Sequence, residues 1–342
     1  MKLPLFLCAL ALTCAPFAAS AQAPTEAVRL APMDATLKAY AYPHEVRFLP
    51  VVVEAKGKRV QTKLAYMDVA PTSLANGRTV LLLHGRNFPA GYWGGTIKAL
   101  TAAGYRVIAP DQINFGKSGR VDDMAVRFDV MADHTWALLD HLKIEKVDVV
   151  AHSMGNVAGT RLVLAHPERA GRLVMYAPIG LQDYRPLTPP IDPEALVRAE
   201  SAKGAEAYRK ELVGSYGLAS PVVIEPFVTL REQLKAGDEW PFYVRTFNAS
   251  AVAIRDLPVV QDIPRIPVKT LFLVGSTDRA APGKAQASEA DKAKFKTVAE
   301  LAAEIAPTLP DARVRVFDGR GHLIHLEDPE AFNQAVLDFL AQ

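Results

Sequence analysis

The sequence predicts an α/β fold: a mostly parallel sheet with helices on both faces and a helical module inserted between two of its strands. Three observations carry this. From Val80 to Ala177, short apolar runs alternate with segments of helical period. From Leu181 to about Asp262 nothing resembles a buried strand, and from Val268 to Phe317 the apolar runs return ahead of a final amphipathic stretch. A run without polar alternation suits a strand buried on both faces, which is what helices on each side of a parallel sheet require.

Taken in order, residues 22–45 are rich in Pro and Ala and read as an extended lead-in. Val46 to Glu54 and Val60 to Val69 are β-rich and flank Ala55-Lys56-Gly57-Lys58, a hairpin signal. Val80-Leu81-Leu82-Leu83 is the first buried strand and ends at His84-Gly85. A helix over Thr96 to Ala103 is stopped by Gly104, which can adopt the left-handed conformation, and Arg106 to Ala109 follows as a strand. Phe128, Met131, Thr135, Leu138 and Leu142 share one helical face ahead of a strand at Val147 to Ala151. Met154 to Ala165 is the next helix, ended by His166-Pro167, and Arg172 to Ala177 the next strand.

Within residues 181–262, Asp192-Pro193 and Ser220-Pro221 place a cap residue before a proline whose fixed φ suits the first helical position. The core therefore divides into 46–180 and 263–342 around a helical cap at 181–262. Val268 to Val274 and Val314 to Phe317 are its returning strands, and Pro329 to Leu340 its closing helix.

Composition removes several classes of function. Against 37 Asp plus Glu stand 39 Lys plus Arg, interleaved along 342 residues, so there is no basic stripe for a nucleic acid. A hydrophobic fraction of 50% is far from that of a disordered chain. Met1 to Ala21 reads as a secretory signal peptide, with Lys2, an apolar run from Leu3 to Ala19 and a small-x-small site at Ala19-Ser20-Ala21. Cleavage is expected after Ala21, giving a periplasmic or secreted protein with no membrane span once the signal is removed. Both cysteines, Cys8 and Cys14, fall in that leader, so the mature chain is expected to rely on an ordinary core without disulfides.

The chemistry centres on Val149-Val150-Ala151-His152-Ser153-Met154-Gly155, a strand running into a helix with Ser153 at the corner. Such an elbow lifts the hydroxyl clear of the sheet and demands small residues two before and two after it, here Ala151 and Gly155. A serine nucleophile needs a base, and the base an acid that fixes its tautomer. His322 lies in Asp318-Gly319-Arg320-Gly321-His322 after the last strand, and Asp278 in Gly275-Ser276-Thr277-Asp278 after the strand before it. The order Ser153, Asp278, His322 is that expected of this sheet topology. The oxyanion of the intermediate would be held by the backbone N–H groups of Met154 and Arg86.

On these motifs, together with Leu83-His84-Gly85, Asp111 to Ser118 and Gly321 to Pro329, the chain resembles the α/β-hydrolase superfamily, in particular its capped, esterase- and lipase-like branch. The resemblance spans about residues 46 to 340. It implies the α/β-hydrolase fold and a carboxylic ester hydrolase working through a Ser-His-Asp triad and an acyl-enzyme, with a small ester-like molecule as substrate and no cofactor. A lactone hydrolase, or one for a carbon–carbon bond beside a ketone, on the same triad is the alternative, and a non-catalytic binding protein on this fold a further one. Ala151 and Asn114 depart from the family pattern, each standing where glycine is usual, and the stretch from Arg279 to Pro310 is long.

Within the site, His325 and His84 are read as structural, and the His322/His325 pair lacks a third ligand for a metal. Asp183, after the preceding strand, is the competing acid. Arg86 is open between binding a substrate carboxylate and pairing with an acidic neighbour. Trp240, Phe242, Tyr243 and Phe247 are open between lining an apolar pocket and packing in the core.

Overall fold

The computed structural model describes residues 30–342, so the expected leader, its cleavage site and the start of the lead-in lie outside the described residues. The strands are β1 (Val46–Ala55), β2 (Lys58–Val69), β3 (Thr79–Leu83), β4 (Arg106–Pro110), β5 (Val147–His152), β6 (Ala170–Tyr176), β7 (Thr270–Gly275) and β8 (Ala312–Phe317). They form one sheet in the order β1-β2-β4-β3-β5-β6-β7-β8. β2 is antiparallel to both β1 and β4, and each pairing from β4 across to β8 is parallel. The predominantly apolar runs are the central strands: every residue of β5 and β7 is buried. The outermost strands β1 and β8 alternate in exposure, as edge strands with one wet face must.

Side chains of each central strand alternate between the two faces. Val80, Leu82, Val150, Val174 and Leu273 pack with Ile97 and Leu100 of α1 (Gly94–Ala102) on one side. Leu81, Leu83, Val149, Leu173, Phe272 and Val274 pack on the other with Leu139 of α2 (Phe128–His141) and Leu162 of α3 (Met154–Ala165). Each such side chain contributes about 1.5–3 kcal/mol on burial, which gives the strand ends a fixed frame.

Between β6 and β7 the chain runs through α4 (Pro193–Ala202), α5 (Ala205–Gly214), α6 (Pro221–Lys235) and α7 (Trp240–Asp256), with no strand. Asp192 caps α4 by accepting from the Glu194 N–H at 3.0 Å, whereas Ser220 precedes Pro221 without a side-chain cap bond. After β7 come α8 (Glu289–Lys292) and α9 (Val298–Ile305), and after β8 come α10 (Ile324–Glu327) and α11 (Pro329–Leu340). Phe332, Val336 and Phe339 of α11 join the face that carries α1.

Two segments carry more structure than their sequence pattern announced. The long stretch after Asp278 contains α9, started by a capping box in which Thr297 and Glu300 satisfy each other's backbone N–H, with Val298, Leu301 and Ala302 buried on the sheet. The lead-in, over its described part, is packed: Met33 and Leu37 are buried against Leu230, Leu234, Trp240 and Val244. The Met33 N–H donates to Gln233 O at 2.9 Å, and Tyr42 Oη donates to Asp111 Oδ2 at 2.6 Å, so the segment bridges the helical module and the core.

Candidate active site

β5 ends in the elbow. Ser153 takes φ 54° and ψ −118°, a conformation that costs a non-glycine residue on the order of 1–3 kcal/mol and persists only where its surroundings dictate it. Here they do. A Cβ on Gly155 would lie 2.6 Å from Leu83 O and 2.7 Å from His84 O, so α3 crosses the end of β3 with no room for a side chain. The added methyl of Ala151 is accommodated one step further on: it faces Gly159, where a Cβ would approach it to 3.0 Å. Asn114, the other departure from the glycine pattern, adopts φ 71°, and its side chain bonds both N–H and C=O of Val121.

The loops after β7 and β8 bring Asp278 and His322 together. Asp278 Oδ2 accepts from His322 Nδ1 at 2.7 Å, and both residues are fully buried. The other carboxylate oxygen accepts from the Ala280 N–H at 3.0 Å. With Nδ1 carrying the proton toward Asp278, the lone pair is on Nε2, which is buried and makes no hydrogen bond. A bond from the nucleophile to this nitrogen is commonly loose before substrate arrives. Asp183 is engaged elsewhere. Arg185 holds it at 2.6 Å, and those hydrogen bonds keep its carboxyl below the usual range.

Among the described residues, the N–H groups of Arg86 and Met154 have no hydrogen-bond acceptor, while their neighbours Phe88 and Asn156 donate to Gly85 O and Ser153 O. Two free donors thus flank the serine, one at the N-terminus of α3, where the helix dipole favours negative charge.

Sequence reasoning missed a buried relay behind these groups. The Gly85 N–H donates to Tyr92 Oη at 3.2 Å, Tyr92 Oη lies 2.8 Å from His152 Nδ1, and His152 Nε2 lies 3.0 Å from His322 O. A carbonyl only accepts, so His152 carries its proton on Nε2, Nδ1 accepts from Tyr92, and every polar atom in the relay is satisfied. Burial, with His322 and His325 nearby, pushes His152 well below its usual pKa, so the ring is neutral. The available signal was His152 itself, a polar residue ending a mostly apolar strand, which must find partners.

His325 and His84 are each tied into the fold by hydrogen bonds. His325 Nδ1 bonds Tyr176 Oη at 2.9 Å, and burial pushes its pKa down to about 3. His84 Nε2 accepts from the Gln112 N–H at 3.0 Å, tying the β3 loop to the β4 loop. Among the described residues, no group of three His, Cys, Asp or Glu is placed to hold a metal.

A cavity of about 500 Å³ opens on Ser153, walled by Arg86, Tyr216, Phe247, Asn248 and Ile254. The aromatic cluster divides along α7. Trp240 packs with Val244 onto Met33 and Leu37, and Phe242 faces the Arg120 guanidinium at 5.7 Å; neither lines this cavity. Phe247 lines it and Tyr243 lines a smaller one nearby, because helical period turns positions 240 and 244 toward the lead-in and 247, 251 and 254 toward the serine. Arg86 stacks on Phe247, its guanidinium carbon 4.0 Å from the ring centroid, and pairs with no carboxylate among the described residues.

A nucleophile elbow over a parallel sheet, with a carboxylate-oriented imidazole at the same sheet edge, defines the hydrolase class of α/β proteins. The chain belongs to the alpha/beta hydrolase family, whose profile matches residues 80–335. It is 28% identical over 272 residues to the 2-hydroxy-6-oxo-6-phenylhexa-2,4-dienoate hydrolase of Burkholderia cepacia, covering 78% of this chain and 88% of that protein. A probable hydrolytic enzyme from Pseudomonas aeruginosa PAO1 superposes with a TM-score of 0.85 at 34% identity, covering 90% of this chain and 98% of the other. An esterase from Exiguobacterium antarcticum shares the fold at TM-score 0.64 and 19% identity, covering 86% of this chain and 100% of its own.

Proposed function

We propose that the protein is a serine hydrolase that cleaves a carboxylic ester through an acyl-enzyme. The observation that carries this reading is the sealed His322–Asp278 pair with its unbonded Nε2, at the sheet edge where Ser153 stands on its elbow. Ser153 Oγ attacks the ester carbonyl as His322 Nε2 takes its proton. The oxyanion forms against the N–H groups of Arg86 and Met154, which need no reorganisation as charge develops. His322 then protonates the leaving alcohol and activates water for deacylation. Asp278 stays ionised throughout, holding the tautomer. No step calls for a cofactor. Helices α4 to α7, residues 181–262, act as a lid that walls the cavity and excludes water, and the chain is exported after cleavage behind Ala21.

A second reading, cleavage of a carbon–carbon bond beside a ketone, is favoured by the relatives named as dienoate hydrolases. The two differ in the leaving group: an alkoxide takes its proton from His322 directly, whereas a carbanion must be protonated at carbon. The test is a direct competition between p-nitrophenyl esters of graded chain length and a 2-hydroxy-6-oxo-dienoate. Higher kcat/KM on the esters is expected; turnover of the dienoate alone would replace the first reading by the second.

A further inference from the structure

Beside the catalytic cavity lies a second, smaller one of about 30 Å³, with Leu37, Arg86, Arg120, Leu234, Tyr243 and Phe247 among its walls. Arg86 and Phe247 line both. Two arginines line the smaller cavity, and neither forms an ion pair among the described residues. Arg120 uses Nη1 and Nη2 on the carbonyls of Ser118 and Gly116, at 3.1 and 2.8 Å, while its Nε is buried with no partner at all. The nearest acids are committed, among them Glu200, which lies within electrostatic reach of Arg86 and is paired with Arg231 and Lys203. Asp111 accepts from Tyr42 Oη and from the N–H groups of Ala90 and Lys117, and Glu239 accepts from the Ala35 N–H.

Two half-buried guanidinium groups without an ion pair of their own, one of them with a buried Nε that lacks any acceptor, are under-satisfied in a pocket of reduced dielectric. A carboxylate satisfies both, since its two oxygens match the planar fork of a guanidinium. The volume has room for about two water-sized groups, the size of a carboxylate head. The backbone N–H of Arg86 is the donor assigned above to the oxyanion and its side chain lines this pocket, so on that reading about one arginine side chain would separate the scissile carbonyl from the anion.

We propose that this pocket takes a terminal carboxylate of the substrate, held by Arg86 and Arg120, so that the protein acts on half-esters of short dicarboxylic acids. The bond cleaved rests on the serine hydrolase reading above; the anion site does not, and the experiment separates them. Calorimetric titration of Ser153→Ala with glutarate reads the anion site without turnover. Binding is expected, and Arg120→Gln added to that protein is expected to weaken it at least tenfold. Separately, the wild type is assayed on p-nitrophenyl half-esters of succinate, glutarate and adipate against the same compounds with the free acid capped as a methyl ester. A preference for the acids of about 10- to 100-fold is expected, the worth of hydrogen bonds to a charged group, and Arg120→Gln should collapse that ratio. Should Arg120→Gln melt early because the turn at Gly116–Ser118 is released, Arg86→Gln is read in the same assays, its backbone N–H being retained. Glutarate binding without turnover of any ester would leave the anion site standing and overturn the ester reading. Turnover with equal kcat/KM on free and capped acids would overturn the anion site.

Discussion

The two walls of the catalytic cavity are built on different principles. On the sheet side, positions are set by backbone and by steric exclusion: Ser153 is held at positive φ because Gly155 and Gly85 admit no Cβ, and the base, acid and relay are buried among fixed strand ends. On the cap side, amphipathic helices hold each other through side chains. Arg231 Nη1 lies 2.7 Å from Glu200 Oε1 and Lys203 Nζ 2.7 Å from Glu200 Oε2, an ion-pair cluster at the α4–α6 junction. Burial would raise the Glu200 carboxyl, but Arg231 and Lys203 outweigh it and hold it below its usual range. A wall fixed by backbone suits chemistry that tolerates no displacement. A wall made of side chains can change its occupants while the chemistry stays the same.

The largest effect should come from breaking the sheet side at its centre. Ser153→Ala is expected to fold and to lose about 10⁶-fold in kcat on its best ester; near-normal turnover by the purified variant would move the chemistry elsewhere. Next, Asp278→Asn should cost about 10⁴-fold in kcat through the wrong imidazole tautomer. Asp183→Asn, whose partner is Arg185, should do far less, and the reverse ranking would transfer the acid to the earlier strand. Tyr92→Phe strands the Gly85 N–H and His152 Nδ1, so a loss of about 1–3 kcal/mol in stability is expected. If the relay also positions the oxyanion loop, kcat falls while KM holds, measured beside thermal melting.

Acid should loosen the two walls in a set order. His84, His152 and His325 all sit on the sheet side with pKa values lowered by burial. The unfolded chain binds their protons from about pH 6.5 downward, whereas His325 in the folded protein waits until about pH 3. Stability is therefore full above pH 6.5 and falls as the pH drops below it, before the paired Glu200 of the cap is protonated. A melting temperature flat from pH 7 to pH 4 would contradict this. The smallest effect on chemistry belongs to the cap. Phe247→Ala should shift preference among ester chain lengths, while Trp240→Ala should leave that profile alone and cost about 3–5 kcal/mol of stability, as truncating a buried aromatic does.

The sheet side was also the more legible in the sequence, for the same reason. Apolar runs such as Val80–Leu83 and Thr270–Gly275 are local patterns that only a doubly covered strand explains, and the elbow, the Asp278 turn and the Gly321-His322 turn each announce themselves within a few residues. The triad members lie far apart in the chain, yet strand order alone brings Asp278 and His322 to one edge. What stayed hidden depends on packing between distant segments. Met33 and Leu37 look like linker until α6 and α7 cover them, and the division of Trp240 from Phe247 needs the rotation of α7 against its neighbours. The Tyr92–His152 relay and the Arg86–Arg120 cavity join loops whose spacing in the chain carries no pattern. α9 was readable, since Thr297 and Glu300 spell a capping box ahead of an apolar stripe.

The central claim, that the sheet side alone carries the nucleophile, is tested most directly by labelling the purified protein with a fluorophosphonate and locating the adduct by peptide mass spectrometry. The expected result is stoichiometric modification at Ser153, abolished by Ser153→Ala, strongly slowed in His322→Ala and retained in Phe247→Ala. A protein that is folded and unlabelled, or labelled at any other residue, would contradict it.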